Sequence, residues 1–102
     1  MNEQEIKKLH DVQLSAMRAL LGHITGNIDV VTVNTKNQKI DIYFIFRAGS
    51  EIAKEDYDNA ESVKQKMQED FPSDEMILHC FRIDSPEFPV KEGSAVFIRK
   101  FF

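Results

Sequence analysis

The stretch KIDIYFIFR, Lys39 to Arg47, decides the fold. Ile40, Ile42, Phe44 and Phe46 alternate with Asp41, Tyr43, Ile45 and Arg47, the two-residue period of a strand with one strongly apolar face. Just upstream, IDVVTVNT (residues 28–35) is equally rich in β-branched side chains, and the short polar tip Lys36-Asn37-Gln38 joins the two runs. Two such runs around so short a connection predict a β-hairpin. A hairpin with one apolar face is not stable alone, so a second layer has to cover it.

Both flanks supply candidates for that layer. Residues 2–21 read as a helix, with Asn2 as cap and Glu5 three residues on at capping-box spacing. On a helical wheel Ile6, Leu9, Val12, Leu14, Met17, Leu20 and Leu21 share one broad arc, with His10 and Gln13 inside it; Lys7, Asp11, Ser15 and Arg18 fall opposite. Gly22 is a natural stop. After the hairpin, Ala48-Gly49 breaks the alternation and Ser50 offers a second cap. From residue 51 to 70 an apolar stripe runs through Ala53, Tyr57, Ala60, Val63 and Met67 to Phe71, and Pro72-Ser73-Asp74 ends it.

Two more strands are predicted, EMILHCFRI (residues 75–83) and SAVFIRKFF (residues 94–102). The loop between them carries Pro86 and Pro89, which have no amide to donate to a central ladder. The expected architecture is one α+β domain over residues 1–102: helix, hairpin, helix, strand pair, forming a four-stranded, mainly antiparallel sheet with both helices on one face. The last two strands are apolar on both sides, which places them centrally or against a partner.

A net charge of −4 argues against nucleic-acid binding, which needs a basic footprint, and suits a basic protein partner. The lone Cys80 rules out an internal disulfide and fits a reducing compartment. MNEQEIKKLH has no apolar signal core and IDIYFIF is too short to span a bilayer, so the expectation is a cytoplasmic protein with no membrane contact. No metal is expected, because neither C-x-x-C nor H-E-x-x-H spacing occurs, and no cofactor, because the glycines are scattered. His79 and Cys80 are neighbours on a strand and point to opposite faces, so they cannot form one site. His10 reads as a partly buried structural histidine, and His23 as a cation favoured by the helix end before it. No signature of nucleophilic, metal-assisted or phosphate-transfer catalysis occurs, so an enzyme is not expected.

What remains is charge. EIAKEDYDNAE, Glu51 to Glu61, holds five carboxylates and one lysine around Tyr57. At three- and four-residue spacing Glu51, Glu55 and Asp58 repel one another, and the helix dipole accounts only for the first of them. Asp70, Asp74 and Glu75 gather at the helix end, where negative charge opposes the dipole; Asp84, Glu87 and Glu92 lie in the loop beyond. Charges kept where they strain the isolated fold suit an external cationic partner. The candidate partner-binding residues are Glu51, Glu55, Tyr57, Asp58, Glu61, Asp74, Glu75 and Glu87, with Tyr43 and Phe88 as further aromatic anchors.

In organisation the chain resembles the small immunity proteins of bacterial contact-dependent growth inhibition and related polymorphic toxin systems. It shares with them an acidic α+β layout, a helix-then-hairpin opening with its IDIYFIF strand, and Asp, Glu and Tyr on one helix. The resemblance implies an inhibitor that docks an acidic surface on a basic toxin domain, often a nuclease, and blocks its active site or substrate groove. It would act as a monomer or weak homodimer. Two other readings stay open. One is a homo-oligomeric structural or regulatory domain associating through VFIRKFF. The other is a small-ligand-binding domain with a pocket near His10, Gln13 and Tyr43.

Overall fold

The structure, a computed structural model, describes residues 2–23, 26–49 and 51–84, together with residues 94–98 by their backbone. The first helix, α1, spans Glu3–Ala19. Its cap is the expected one: Asn2 Oδ1 accepts from the Glu5 amide at 2.9 Å while Asn2 Nδ2 donates to Glu5 Oε1 at 3.1 Å. Its buried face, however, is only part of the arc of large apolar residues: Val12 and Leu20 are in the core and Leu9 packs against it. Val12, Ser15, Ala16, Ala19 and the C-cap Leu20 are buried, while Ile6, Leu14, Met17 and Leu21 are exposed. Close approach of two helices and a sheet selects small side chains at the contact, and a wheel weighted by hydrophobicity overlooks them.

The hairpin forms as expected from β1 (Ile28–Lys36) and β2 (Lys39–Phe46), antiparallel with Val33 opposite Ile42 and Val31 opposite Phe44. Asn37 in the turn has φ 58°, a left-handed conformation that Asn tolerates better than most residues. The second helix, α2, spans Lys54–Asp70, so it begins three residues after Glu51. Ala53, at the N-cap, has no side-chain oxygen to offer. Instead Asp56 Oδ2 reaches back to accept from the Ala53 amide at 3.1 Å and from Asn27 Nδ2 at 3.3 Å, and Asp56 is buried. Glu51 is therefore exposed and outside the helix, a correction to its expected place on the first turn.

The strand pair also needs correcting. The sheet order is β3-β2-β1-β4, with β3 at Glu75–Arg82 and β4 at Ser94–Ile98, so the last two strands lie on opposite edges and do not pair. β3 runs parallel to β2, with Ile40 beside Met76 and Phe44 beside Cys80. The reason is the intervening helix: α2 carries the chain back along the sheet, so the next strand starts from the same end as β2. β4 then pairs antiparallel with β1 on the far edge.

Both helices cover one face. Ile28, Val31, Val33, Ile40, Ile42, Phe44, Phe46 and Met76 of the sheet meet Val12, Ala16, Ala19 and Leu20 of α1 and Ala60, Val63 and Met67 of α2 in one core. On the other face Tyr43 and Ile45 are also buried. The His79 ring stacks on Tyr43 with centroids 4.4 Å apart, and His79 Nε2 lies 2.9 Å from Asp41 Oδ1.

A polar clamp ties the helices together. Ser15 Oγ donates to Asp70 Oδ2 at 2.6 Å, Arg18 approaches the same oxygen at 3.4 Å, and Lys8 Nζ pairs with Asp74 Oδ2 at 2.6 Å while lying 5.2 Å from the centroid of the Phe71 ring. Asp70, unfavourable for its own helix, is thus placed for α1. Replacing Asp56 by Ala removes a cap and leaves the Asn27 amide without that acceptor, which should destabilise the fold by about 1–3 kcal/mol. Leu14→Ala should change the stability of the dilute monomer by less than about 0.5 kcal/mol, as for an exposed surface position. Denaturant titration of the two variants distinguishes the buried face found here from the arc read on the wheel.

Candidate functional site

The carboxylates of the described residues divide into two groups. Asp29, Asp70, Asp74 and Asp84 hold ion pairs inside the chain, with Arg47, Arg18, Lys8 and Arg82 respectively, and Asp41 hydrogen-bonds the His79 ring. Asp56 caps α2 and Glu5 caps α1. Hydrogen bonding to Arg82 holds the Asp84 carboxyl below its ordinary range. These side chains belong to the fold.

The second group faces solvent; it includes Glu3 and Asp11 on α1 and Glu75 on β3, which are exposed with no ion pair among the described residues, and a denser set on α2. Glu55, Asp58 and Glu69 are exposed on α2 and have no ion pair among the described residues; Glu61 is exposed and touches Lys64 at 3.5 Å, one turn away. The spacing of Glu55, Asp58, Ser62, Gln65 and Glu69 puts them in one row along the helix face opposite Ala60, Val63 and Met67. Glu51 precedes the row and adds its field to Arg82, at the adjoining end of β3. Tyr57 is 46% exposed one turn before Glu61, on the flank of α2 outside the row. The row spans about 21 Å from Glu55 to Glu69 at helical rise.

The structure separates the remaining sequence candidates from this row. Asp74 is bonded to Lys8 with its side chain only 8% exposed, so its first role is to join the helices. Glu75 is exposed at the start of β3, beside Lys39 in register, at the opposite end of α2 from Glu51. Glu87 and Phe88 lie outside the described residues. Glu69 is the member that sequence reading missed; its four-residue step from Gln65 was the available signal.

A family model described as MafI2 immunity protein matches residues 10–100. The chain belongs to the MafI2 immunity protein family. No curated protein matches it. Membership in the MafI2 family points to a toxin-neutralising immunity role with a cognate toxin as partner, and so to a protein-binding surface as the functional site. The organisational resemblance read from the sequence agrees with it.

Other features of this MafI2 family member fit that emphasis. The pocket expected near His10, Gln13 and Tyr43 does not assemble: His10 is exposed on α1, and Tyr43 is on the sheet face turned away from the helices. A cleft of about 460 Å³ lies elsewhere, between the start of α1 and the hairpin tip, lined by Asn2, Lys8, Thr35, Lys36 and Asn37. His23 is not the free cation expected at a helix end. Its Nδ1 lies 2.8 Å from Asn59 Oδ1 and its Nε2 lies 2.8 Å from Lys66 Nζ, which fits a ring donating to Asn59 and accepting from lysine. Among the described residues no group of His, Cys, Asp and Glu is placed to hold a metal, and no helix is long and apolar enough to cross a membrane.

Cys80 behaves as a small hydrophobe on the core face of β3. Burial pushes its thiol up from 9.0 to about 11, and the nearby Glu61 and Asp56 carboxylates add to the effect. Since the thiolate is the reactive form, two units of displacement should slow native Cys80 on the order of 100-fold against the unfolded chain near neutral pH. Labelling with a chromogenic disulfide reagent, with and without denaturant, measures the ratio. The native rate should climb with pH until about 11.

Proposed function

We propose that the chain neutralises a basic cognate toxin domain, a nuclease in the leading version, by laying the acidic outer face of α2 into the cationic groove that the toxin offers to nucleic acid. Glu51, Glu55, Asp58 and Glu61 carry the charge, Glu69 extends it, and Tyr57 supplies an aromatic anchor. Glu75, Asp74 and Glu87 are secondary candidates. The protein acts in the cytoplasm by binding alone, with no catalysis, cofactor or nucleic-acid contact of its own.

The observation that carries this reading is the division of the carboxylates. The ones with structural partners are elsewhere, whereas Glu55, Asp58 and Glu69 stand on one exposed ridge with no ion pair among the described residues. Like charges at three- and four-residue spacing destabilise an isolated helix by a few tenths of a kcal/mol per pair, so the ridge weakens the free protein slightly. A cationic groove reverses that sign. Carboxylates imitate phosphate charge without presenting a bond to cleave, and close charge pairs at an interface couple by about 1.5–7 kcal/mol in favourable cases, the range of the barnase–barstar example.

The test uses a cognate toxin domain. Replacing Glu51, Glu55 and Glu61 by Gln and Asp58 by Asn should weaken binding at least about tenfold, equivalent to 1.4 kcal/mol. It should also flatten the dependence of association on salt and leave the melting temperature unchanged or slightly higher. Asp74→Asn should do the reverse, lowering thermal stability with a smaller effect on association. Unchanged affinity of the quadruple variant, measured by calorimetry across ionic strength, removes the acidic face from the mechanism.

A further inference from the structure

Apart from the acidic row, the largest unexplained feature is on α1. Ile6, His10, Leu14, Met17 and Leu21 follow steps of four, four, three and four residues and line one ridge, and all five are exposed; Leu21, just past the helix end, is 75% exposed and Leu14 56%. Such spacing is the seam that one helix presents to another. The ridge lies on the side of α1 away from Lys8 and Ser15, which meet Asp74 and Asp70, and so away from the acidic face. Four large apolar side chains in a continuous line exceed the scattered exposure that a monomer surface ordinarily shows.

We propose that this ridge binds the same ridge of a second copy, in an antiparallel helix pair. The charges beside it favour that occupant over a basic partner. One flank carries Lys7, Asp11 and Arg18, both signs in near balance, where a toxin-docking surface of this acidic chain would be uniformly negative. A two-fold axis that sets Ile6 against Leu21 of the second copy also sets His10 against Met17. It brings Asp11 within a turn of Arg18 of the second copy, on the same flank, twice over. The Arg18 side chain is 72% exposed and meets Asp70 only at 3.4 Å, which leaves guanidinium N–H groups for the new pair. A parallel pairing would put the charged flanks of the two copies on opposite sides of the seam, where Asp11 and Arg18 cannot meet. The ridge is about 22 Å long, and a contact confined to two such helices falls at the low end of protein interfaces, about 1,200 Å² or below, so the dimer is weak and concentration-dependent. Because α2 stays uncovered, two toxin domains bind one dimer.

The geometry gives its own test in a Cys80→Ser background. Leu14→Cys, near the axis, should cross-link to itself under oxidation. Ile6→Cys and Leu21→Cys, at opposite ends, should each fail alone and cross-link when mixed. Sedimentation equilibrium of the unaltered chain should show a monomer–dimer equilibrium, and Leu14→Glu should raise its dissociation constant at least tenfold with the circular dichroism melt unchanged. A chain that stays monomeric to millimolar concentration overturns the proposal, as does a dimer indifferent to Leu14→Glu or cross-linking of Ile6→Cys to itself. Loss of toxin binding in Leu14→Glu, with no dimer of the unaltered chain, overturns it too and assigns the ridge to the toxin. The α2 quadruple variant should keep the dimer, so this result stands apart from that of the acidic face.

Discussion

Everything in this fold rests on one contact: the apolar face of β2 against the small-residue faces of two helices. Ile40, Ile42, Phe44 and Phe46 present bulky side chains to the shared core, and Ala16 and Ala19 of α1 and Ala60 of α2 face them there, while α1 comes closest to β1 and β4 and α2 to β3. Burial at about 25 cal/mol per Å² makes this layer the dominant stabilising term for a chain of 102 residues. Because the helices use small residues inward, some of their large ones are left outward. The exposed ridge of α1 is a consequence of the same packing.

Polar side chains then set how the layer is joined. Asp56 substitutes for an absent cap on α2, and Ser15, Arg18 and Lys8 receive Asp70 and Asp74 across the helix pair. Acidic residues that are unfavourable in their own helix become favourable once a second element brings donors. That sorting also sets apart the proposed binding surface, because the carboxylates left over on α2 have no structural partner among the described residues except Glu61, which touches Lys64.

The hairpin, the α1 cap and the two helices were legible because each depends on neighbours a few residues away. Asn2 and Glu5, or Ile40 and Ile42, carry their signal within one turn or one strand. The start of α2 was misread because Ser50 looks like a cap, whereas the acceptor in use belongs to Asp56 and is completed by Asn27, from before β1. For the acidic site, Glu55, Asp58 and Glu61 were readable from spacing and Glu69 was readable but passed over. Asp74 was indistinguishable from them until Lys8 was found beside it.

The amino-acid sequence by itself determined the α+β class, the hairpin and the acidic character of the second helix, since periodicity and charge are properties of consecutive residues. Only the tertiary structure decided that β3 lies parallel to β2, that β3 and β4 occupy opposite edges, and that Leu14 and Met17 face outward while Ser15 and Ala16 face inward. Those outcomes depend on which surfaces compete for the same neighbour. That competition is settled by packing among segments far apart in the chain, and no local pattern records it.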